Sequence, residues 1–264
     1  MIDKVKRILG LSARKTGNKL VISVEKLERR VALLENGRLE EYSVERNTSR
    51  NIVGSVYKGK VKNIEQGLKA MFVDIGFEKN AFLHFWDAIP AALDSGIEEI
   101  DRPEKGGGRQ KKKRLTANDI PTIYPVGSEV IVQVTKGPIG TKGPRVTTNF
   151  SFAGRYLVLM PHSERSGISR KIEDPKERDR LRKILRELEI PEGVGVIIRT
   201  VGEGQRARYF VRDLRVLLDQ WARVEEAIKA EAAPARVFEE PDLVDRTVRD
   251  FLTDEIDEVI CDDR

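Results

Sequence analysis

Residues 70–85, AMFVDIGFEKNAFLHF, decide the fold of the central part of the chain. Successive side chains of a β-strand point to opposite faces of the sheet. In the first half of this stretch the apolar residues share one face, and Phe72 lies on the other face with Asp74. In the second half Phe82 likewise lies on the polar face, together with His84. The stretch therefore predicts two neighbouring strands whose polar face carries two phenylalanines.

The sequence on either side extends this pattern into a small barrel. Residues 52–64 form one long alternating pattern, and residues 127–134 and 145–148 add two further strand patterns. Short strands of this number and spacing predict a five-stranded antiparallel barrel of the OB type. By the same two-residue period, the first strand places three lysines on one face, namely Lys58, Lys60 and Lys62.

An insertion separates the third and fourth barrel strands. Residues 102–114, RPEKGGGRQKKKR, carry many cations and no apolar periodicity. Because strand patterns lie on both sides, we interpret residues 94–122 as a disordered basic loop of the barrel and not as a domain boundary. Residues 1–19 are also basic and polar, and we interpret them as a flexible arm.

Further elements flank the barrel, so the fold class is α+β with several domains. Asn36 and Gly37 lie between two strand patterns and predict a tight hairpin, since both turn positions need positive φ. Asp174, followed by Pro175 and by Glu177 three residues on, predicts a capped helix start. The other predicted elements are strands at 20–24, 30–35, 38–44, 156–160, 193–200 and 259–261 and helices at 210–228 and 242–252.

Composition narrows the possible functions. The 264 residues are 34% charged with a net charge of +5, and clustered cations suit a polyanionic partner such as nucleic acid. Neither a membrane-spanning apolar run nor a signal-peptide pattern is present. One cysteine, Cys261, and two distant histidines, His84 and His162, make a disulfide framework or a zinc site unexpected. We expect a soluble, cytoplasmic protein.

The two phenylalanines of the barrel are the first candidate functional residues. Aromatic rings on the polar face of a lysine-rich barrel are typical of a platform on which single-stranded bases stack. The alternative is that Phe72 and Phe82 are ordinary core residues and that their assignment to the polar face is wrong.

A second candidate is a phosphate site at the end of the strand pattern 193–200. Arg199 and Thr200 precede the glycine-rich turn 201–204, and a guanidinium, a hydroxyl and backbone N–H groups can together bind a phosphate. Residues 167–171 offer similar groups. The alternative is that Arg199 is a solvated surface residue.

Carboxylates near the C-terminal end are able to hold Mg²⁺, but we interpret them as exposed residues at the ends of a helix and a strand. They are Asp254, Glu255, Asp257, Glu258, Asp262 and Asp263. No Ser/His/Asp set, nucleotide-binding glycine loop or zinc-ligand spacing is present. The residues alone therefore predict neither a catalytic centre nor a bound metal.

Taken together, the motifs resemble those of the ribonuclease E/G family, in the same order and over roughly residues 20–264. These motifs are YKGKV at 57–61, AMFVDIG at 70–76, AFL at 81–83, GRYLVLMP at 154–161, GISRKI at 167–172, LEIPEG at 188–193 and IRT at 198–200. The resemblance implies an S1 RNA-binding barrel at 52–148 inserted in a split RNase H-like subdomain, and a 5′-sensor subdomain at 149–237. The two parts of the RNase H-like subdomain would be 20–51 and 238–264, the second cut short.

The resemblance also implies site residues. The RNA-stacking phenylalanines of the family match Phe72 and Phe82, and a basic contact matches Lys142. The pocket for a 5′-monophosphate matches Arg199 and Thr200. Three neighbours of that pocket match Gly154, Val158 and Arg170.

Members of the family are endoribonucleases that cut single-stranded RNA in mRNA decay and in rRNA and tRNA processing. The resemblance therefore implies an RNA partner with a 5′-monophosphate, Mg²⁺ as the cofactor of the complete enzyme and a possible homo-oligomer. It places the metal-binding aspartates and the zinc link in a region that follows residue 264. We therefore expect either the RNA-binding part of such an endoribonuclease or, as the alternative, a non-catalytic module that binds single-stranded RNA.

Overall fold

The computed structural model describes residues 17–47, 51–90, 97–100, 116–253 and 255–262. Most of the predicted arm and the basic stretch 102–114 lie outside the described residues. In chain order the strands are β1 (Lys19–Val24), β2 (Glu28–Glu35), β3 (Arg38–Arg46), β4 (Val56–Glu65), β5 (Ala70–Asp74), β6 (Ala81–His84), β7 (Ile97–Glu99), β8 (Glu129–Lys136), β9 (Arg145–Thr147), β10 (Phe152–Ala153), β11 (Leu157–Pro161), β12 (Gly167–Ser169), β13 (Val194–Ile198), β14 (Ala235–Phe238) and β15 (Glu258–Cys261). The helices are α1 (Ile120–Ile123), α2 (Pro175–Glu187), α3 (Ala207–Ala230) and α4 (Leu243–Phe251).

The chain divides into two compact units, an α+β arrangement. One unit contains the described residues before 52 together with those after 240. The other unit is continuous and spans Ile52–Glu240.

A closed barrel of five strands forms the first half of the continuous unit. The strand order is β4-β5-β6-β9-β8, and β8 pairs back onto β4. Every pairing is antiparallel except β6–β9, which is parallel, so the expectation of a wholly antiparallel barrel is wrong at this seam. The alternation of the sequence explains the core, because every second residue points inward. The innermost side chains include Val61, Met71, Val73, Leu83, Val132 and Val146.

The insertion between β6 and β8 is structured at both of its ends, so the prediction of one disordered loop over 94–122 is wrong there. Strand β7 pairs with β12, outside the barrel, and its Glu98 binds Arg178 and Arg182 of α2. At the other end, Ile120 of α1 is fully buried in the barrel core. These two short segments, IEE at 97–99 and IPTI at 120–123, pack on elements other than their neighbours in the insertion, and segments so short show no periodicity.

A second sheet, with the order β10-β11-β13-β12-β7, forms the rest of the continuous unit. Helices α2 and α3 pack on it, and α3 buries the predicted apolar stripe from Phe210 to Val224. The side chain of Asp174 accepts the backbone N–H of Lys176 at 3.0 Å, which confirms the predicted helix start. Glu177 does not complete a capping box but binds elsewhere. Strand β14, which sequence analysis missed, pairs with β4 of the barrel.

The discontinuous unit is a four-stranded sheet with the order β15-β1-β2-β3. Helix α4 packs on it, and the core consists of Leu20, Ile22, Val31 and Leu243. Asn36 and Gly37 have φ of 51° and 79°, as the predicted tight turn requires. The predicted terminal strand β15 is confirmed, and it pairs in parallel with β1. Lys19, assigned to the arm, is the first residue of β1.

Candidate nucleic-acid interface

Phe72 and Phe82 lie opposite each other on the outer face of the barrel. They are paired residues of β5 and β6, and their ring centroids are 5.8 Å apart in an edge-to-face arrangement. Both rings are partly exposed, whereas the flanking Met71 and Leu83 are fully buried. The face assignment from the sequence is therefore confirmed, and the two rings are not ordinary core residues.

Strand register continues this pair into a row across the barrel. Asn63 of β4 is opposite Phe72, Arg145 of β9 is opposite Phe82, and Lys136 of β8 is opposite Arg145. We call these five residues the barrel row. Sequence reasoning missed Arg145 and Lys136 because they join this row only through two strand pairings, one of them parallel.

The guanidinium of Arg145 is held in place by Asp87. Its Nε and Nη2 atoms donate to Asp87 Oδ2 at 3.1 and 2.8 Å. The carbonyl oxygen of Asp87 accepts the Thr147 hydroxyl at 2.8 Å, which fixes the carboxylate-bearing residue to β9. The Arg145 side chain is still 46% exposed. A cation with a fixed orientation therefore lies beside the aromatic pair.

His84 extends the aromatic surface on the same side as Phe82. Its ring centroid is 6.4 Å from that of Phe82. Its Nδ1 atom accepts the backbone N–H of Trp86 at 3.3 Å, which holds the ring in place. Trp86, two residues on, is 59% exposed.

The three predicted lysines do not form one exposed stripe. Lys60 and Lys62 are exposed, and Lys62 Nζ lies 3.2 Å from Asp74. The pKa of Asp74 is lowered first by the backbone N–H of Gly76 and then by Lys62. A bulge between Val61 and Asn63 interrupts the two-residue period at Lys62.

Lys58 binds the C-terminal end of α3. Its ammonium donates to the carbonyl oxygens of Ile228 and Glu231 at 3.2 and 3.0 Å and lies 3.1 Å from the carboxylate of Glu129. The side chain is only 14% exposed. Lys58 therefore caps the helix C-terminus, and we do not include it in the RNA surface.

Lys142 lies on an exposed loop that is fastened to the start of β6. The backbone groups of Ile139 and Lys142 exchange two hydrogen bonds of 3.2 and 3.0 Å. A Cβ atom on Gly143 would lie 2.1 Å from the carbonyl oxygen of Asn80, so this close approach requires glycine. The loop therefore carries Lys142 on a fixed backbone.

The candidate phosphate residues meet at one edge of the second sheet. Arg199 precedes a 3-10 turn at Thr200–Gly202, and its Nη1 donates to the carbonyl oxygen of Gly154 at 2.5 Å. Its backbone N–H donates to the carbonyl oxygen of Tyr156 at 2.8 Å. Two segments more than 40 residues apart in sequence are thereby joined. We call residues 154–157 and 199–202 the phosphate edge.

Arg170 and Val158 lie next to this edge. Ile168 of β12 is opposite Ile198 of β13 in a parallel pair, so Arg170 leaves its strand at the end where Arg199 leaves its own. Val158 of β11 is opposite Ile197. The topology therefore brings all five residues of the predicted pocket to the same end of the sheet.

The loop after the phosphate edge is held by α2. Glu177 Oε1 accepts the backbone N–H of Gly204 at 2.8 Å, and Arg180 Nη1 donates to the carbonyl oxygen of Gln205 at 2.8 Å. Glu177 and Arg180 also bind each other. The pKa of Glu177 is lowered mainly by the hydrogen bond from Arg180.

The carboxylates near the C-terminal end join β15 to β1. Asp257 accepts the backbone N–H of Asn18 at 2.8 Å, and Asp262 accepts the N–H of Val24 at 2.7 Å and the hydroxyl of Ser23 at 2.6 Å. Asp254 and Asp263 lie outside the described residues. In the part of the chain that the structure describes, no three Asp, Glu, His or Cys side chains group closely enough to hold a metal ion. Because Asp257 and Asp262 are already hydrogen-bonded to groups in or next to β1, these two carboxylates do not fit Mg²⁺.

None of the helices in the described ranges combines the length and the apolar character that a membrane span requires.

Comparison with known proteins finds relatives of this chain. Residues 151–264 match the model of the Ribonuclease E/G family. The chain is 38% identical over 245 residues to ribonuclease G of Escherichia coli K12, covering 93% of this chain and 47% of that protein. It is 36% identical over 244 residues to ribonuclease E of Haemophilus influenzae, covering 92% of this chain and 24% of that protein. The chain thus spans about half the length of this ribonuclease G and about a quarter of the length of this ribonuclease E.

A small barrel with aromatic and cationic side chains on its outer face is typical of proteins that bind single-stranded nucleic acid. The sequence matches then define the family. This chain belongs to the ribonuclease E/G family.

Proposed function

We propose that this chain binds single-stranded RNA across the barrel row and recognises a 5′-monophosphate at the phosphate edge. It would do so as the RNA-binding part of an endoribonuclease of the E/G family. The observation that carries the proposal is the pair of opposed, partly exposed phenylalanines with the fixed Arg145 beside them. Membership of the family supports RNA as the nucleic acid.

The barrel row offers both kinds of contact that a single strand needs. Exposed rings can stack on bases whatever the sequence, at about 1–3 kcal/mol per base. Arg145 and Lys136 can pair with the phosphates between those bases, and this term weakens as salt rises. Asn63, at the other end of the row, adds a hydrogen-bonding amide.

The phosphate edge suits a chain end. A terminal monophosphate has more unshared oxygens than an internal phosphodiester, so fixed donors can select it. Arg199 is oriented by its bond to Gly154, and Thr200 is exposed at the start of its turn. A bulkier 5′ end, such as a triphosphate, would be disfavoured by steric closure of the same edge.

The wider role follows from the family. We propose that RNA decay and the maturation of rRNA and tRNA in the cytoplasm are the processes served, with assembly into homo-oligomers. A second candidate function is a non-catalytic RNA-binding module. It is supported by the commitment of Asp257 and Asp262 to backbone and hydroxyl groups rather than to a metal site.

Substitution of the two rings tests the proposal. We expect Phe72→Ala and Phe82→Ala each to weaken binding of a single-stranded RNA oligonucleotide about 5- to 100-fold, whatever its 5′ end, because each removes one stacking surface. Fluorescence anisotropy with the 264-residue chain measures this.

Phe77→Ala is the matched control, since Phe77 is also exposed but packs on Tyr57 and is not in the barrel row. Unchanged affinity in both row variants would refute the RNA surface. A loss in the control of the same size would show that the effect is not specific to the row.

A further inference from the structure

We propose that Asp213 is a positioning residue that sets the orientation of Arg199 for 5′-phosphate recognition. The inference rests on the proposed function of the phosphate edge and adds a residue that would not touch the RNA. Asp213 lies on α3, more than 50 residues after the turn 154–157 and within the helix that follows residues 199–202.

The carboxylate of Asp213 binds three consecutive backbone N–H groups. Its Oδ2 atom accepts those of Tyr156 and Leu157 at 2.8 and 2.9 Å, and its Oδ1 atom accepts that of Arg155 at 3.2 Å. Three converging N–H donors form the kind of concave site that usually binds an anion. Here an internal carboxylate occupies it, and the turn 154–157 is held in one conformation.

That turn is also the part of the backbone on which Arg199 rests. The Arg199 guanidinium donates to the carbonyl oxygen of Gly154, at 2.5 Å, and its backbone N–H donates to that of Tyr156. Each of these acceptors lies within two residues of an N–H bound by Asp213. A change in the Asp213 contacts therefore moves the groups that orient the guanidinium.

Close packing leaves the turn little freedom to adjust. A Cβ atom on Gly154 would lie 2.6 Å from Asp213 Oδ2, so the backbone passes the carboxylate at the distance that only glycine permits. Tyr156 contacts the rings of Tyr209 and Phe210 on α3, with centroids 6.0 and 5.9 Å away. The N-terminal half of α3 thus supports the turn through both a polar and an aromatic contact.

An acidic residue near a phosphate site normally opposes binding of the anion. Three backbone N–H dipoles point at the Asp213 carboxylate and offset part of its negative charge. The residue can therefore fix the geometry of Arg199 without acting on the ligand directly.

The test is the affinity ratio between two otherwise identical single-stranded RNA oligonucleotides, one with a 5′-monophosphate and one with a 5′-hydroxyl. In the 264-residue chain, Asp213→Asn places an NH₂ group against the N–H donors. We expect it to lower the preference for the 5′-monophosphate about tenfold, the effect of one hydrogen bond to a charged group. Affinity for the 5′-hydroxyl oligonucleotide should stay within about twofold.

A double-mutant cycle separates positioning from general stability. In an Arg199→Ala background, Asp213→Asn should leave the ratio unchanged, because there is no guanidinium left to orient. A purely structural role would instead weaken both oligonucleotides alike in either background. Asp219→Asn, an exposed residue of the same helix, is the control and should leave the ratio as it is.

The outcomes distinguish the two proposals. If the parent chain prefers the 5′-monophosphate and the Asp213→Asn variant keeps that preference, only the role of Asp213 is overturned. A parent chain with no preference overturns 5′-end recognition and the role of Asp213 with it. If Asp213→Asn does not fold, Asp213→Glu retains the charge and shifts the carboxylate by one methylene, and an unchanged ratio in that variant also overturns the inference.

Discussion

Arg145 is a single side chain that is preorganised to bind an anion. Two of its N–H groups are bound by one oxygen of Asp87, which limits the loss of side-chain entropy when a phosphate is bound. Because Arg145 is exposed, its ion pair with Asp87 contributes little to the stability of the fold. We therefore assign the Asp87 contact to orientation of the cation rather than to folding.

The role of Arg145 predicts a change in the salt dependence of binding. Arg145→Ala should weaken binding to single-stranded RNA and reduce the slope of log K against log salt by about 0.7, the value for one phosphate contact on a single strand. Anisotropy titrations at several salt concentrations measure the slope. Arg186→Ala, which removes an exposed cation from the end of α2, should leave it unchanged. An unaltered slope in the Arg145 variant would remove Arg145 from the RNA surface.

At the scale of elements, one helix fixes a turn of the phosphate edge and another fixes the loop that follows it. Helix α3 holds the turn 154–157 through Asp213, and α2 holds residues 204 and 205 through Glu177 and Arg180. Neither loop is stabilised by its own sequence alone. The phosphate edge is therefore positioned by tertiary contacts from a rigid scaffold, as binding loops usually are.

The Glu177 contacts predict a pH-dependent stability. Because the folded state lowers the pKa of Glu177, the ionised carboxylate stabilises the fold above its ordinary pKa of about 4.3, and this contribution is lost as the pH falls through the lowered pKa. Glu177→Gln should reduce the free energy of unfolding by about 1 kcal/mol at pH 7 and by progressively less in acid. Urea denaturation at pH 7 and in acid measures the difference.

A second glutamate on the same helix provides the control for that measurement. Glu187→Gln removes an exposed carboxylate at the other end of α2 and should have little effect at either pH. A destabilisation by Glu177→Gln that is as large in acid as at pH 7 would contradict the ionic origin of the contact.

At the scale of the whole molecule, the sequence predicted the features that depend on residues close together along the chain. Alternation placed Phe72 and Phe82 on the outer face, and the helix start at Asp174 followed from its own side chain. Residues whose role depends on distant partners were missed. Arg145 reaches the row only through register, and Asp213 was an ordinary helical aspartate until its N–H donors were known.

Other predictions from the sequence were wrong because a local pattern was extended past the point where the structure interrupts it. The two-residue period grouped Lys58 with Lys60 and Lys62, but a bulge and the end of α3 separate them. The basic insertion was expected to be disordered over its whole length, although Ile97 and Ile120 lie in elements at its two ends. Segments of three or four residues are too short to give a periodic signal, and the partners of these two belong to other parts of the fold.

The arrangement of the whole chain makes a final prediction about metal ions. The proposed RNA contacts are rings, cations and backbone-supported donors, and contacts of these kinds need no bridging metal ion. Chelation of Mg²⁺ at constant ionic strength should therefore change the affinity of the 264-residue chain for single-stranded RNA by less than about twofold. Gel electrophoresis of a 5′-monophosphorylated oligonucleotide incubated with the same chain and Mg²⁺ separates the two proposed functions, because a non-catalytic RNA-binding module would leave it uncut. Loss of binding on chelation would mean that a metal bridges protein and RNA. Cleavage that persists after substitution of Asp257 and Asp262 would place a catalytic centre elsewhere in the chain.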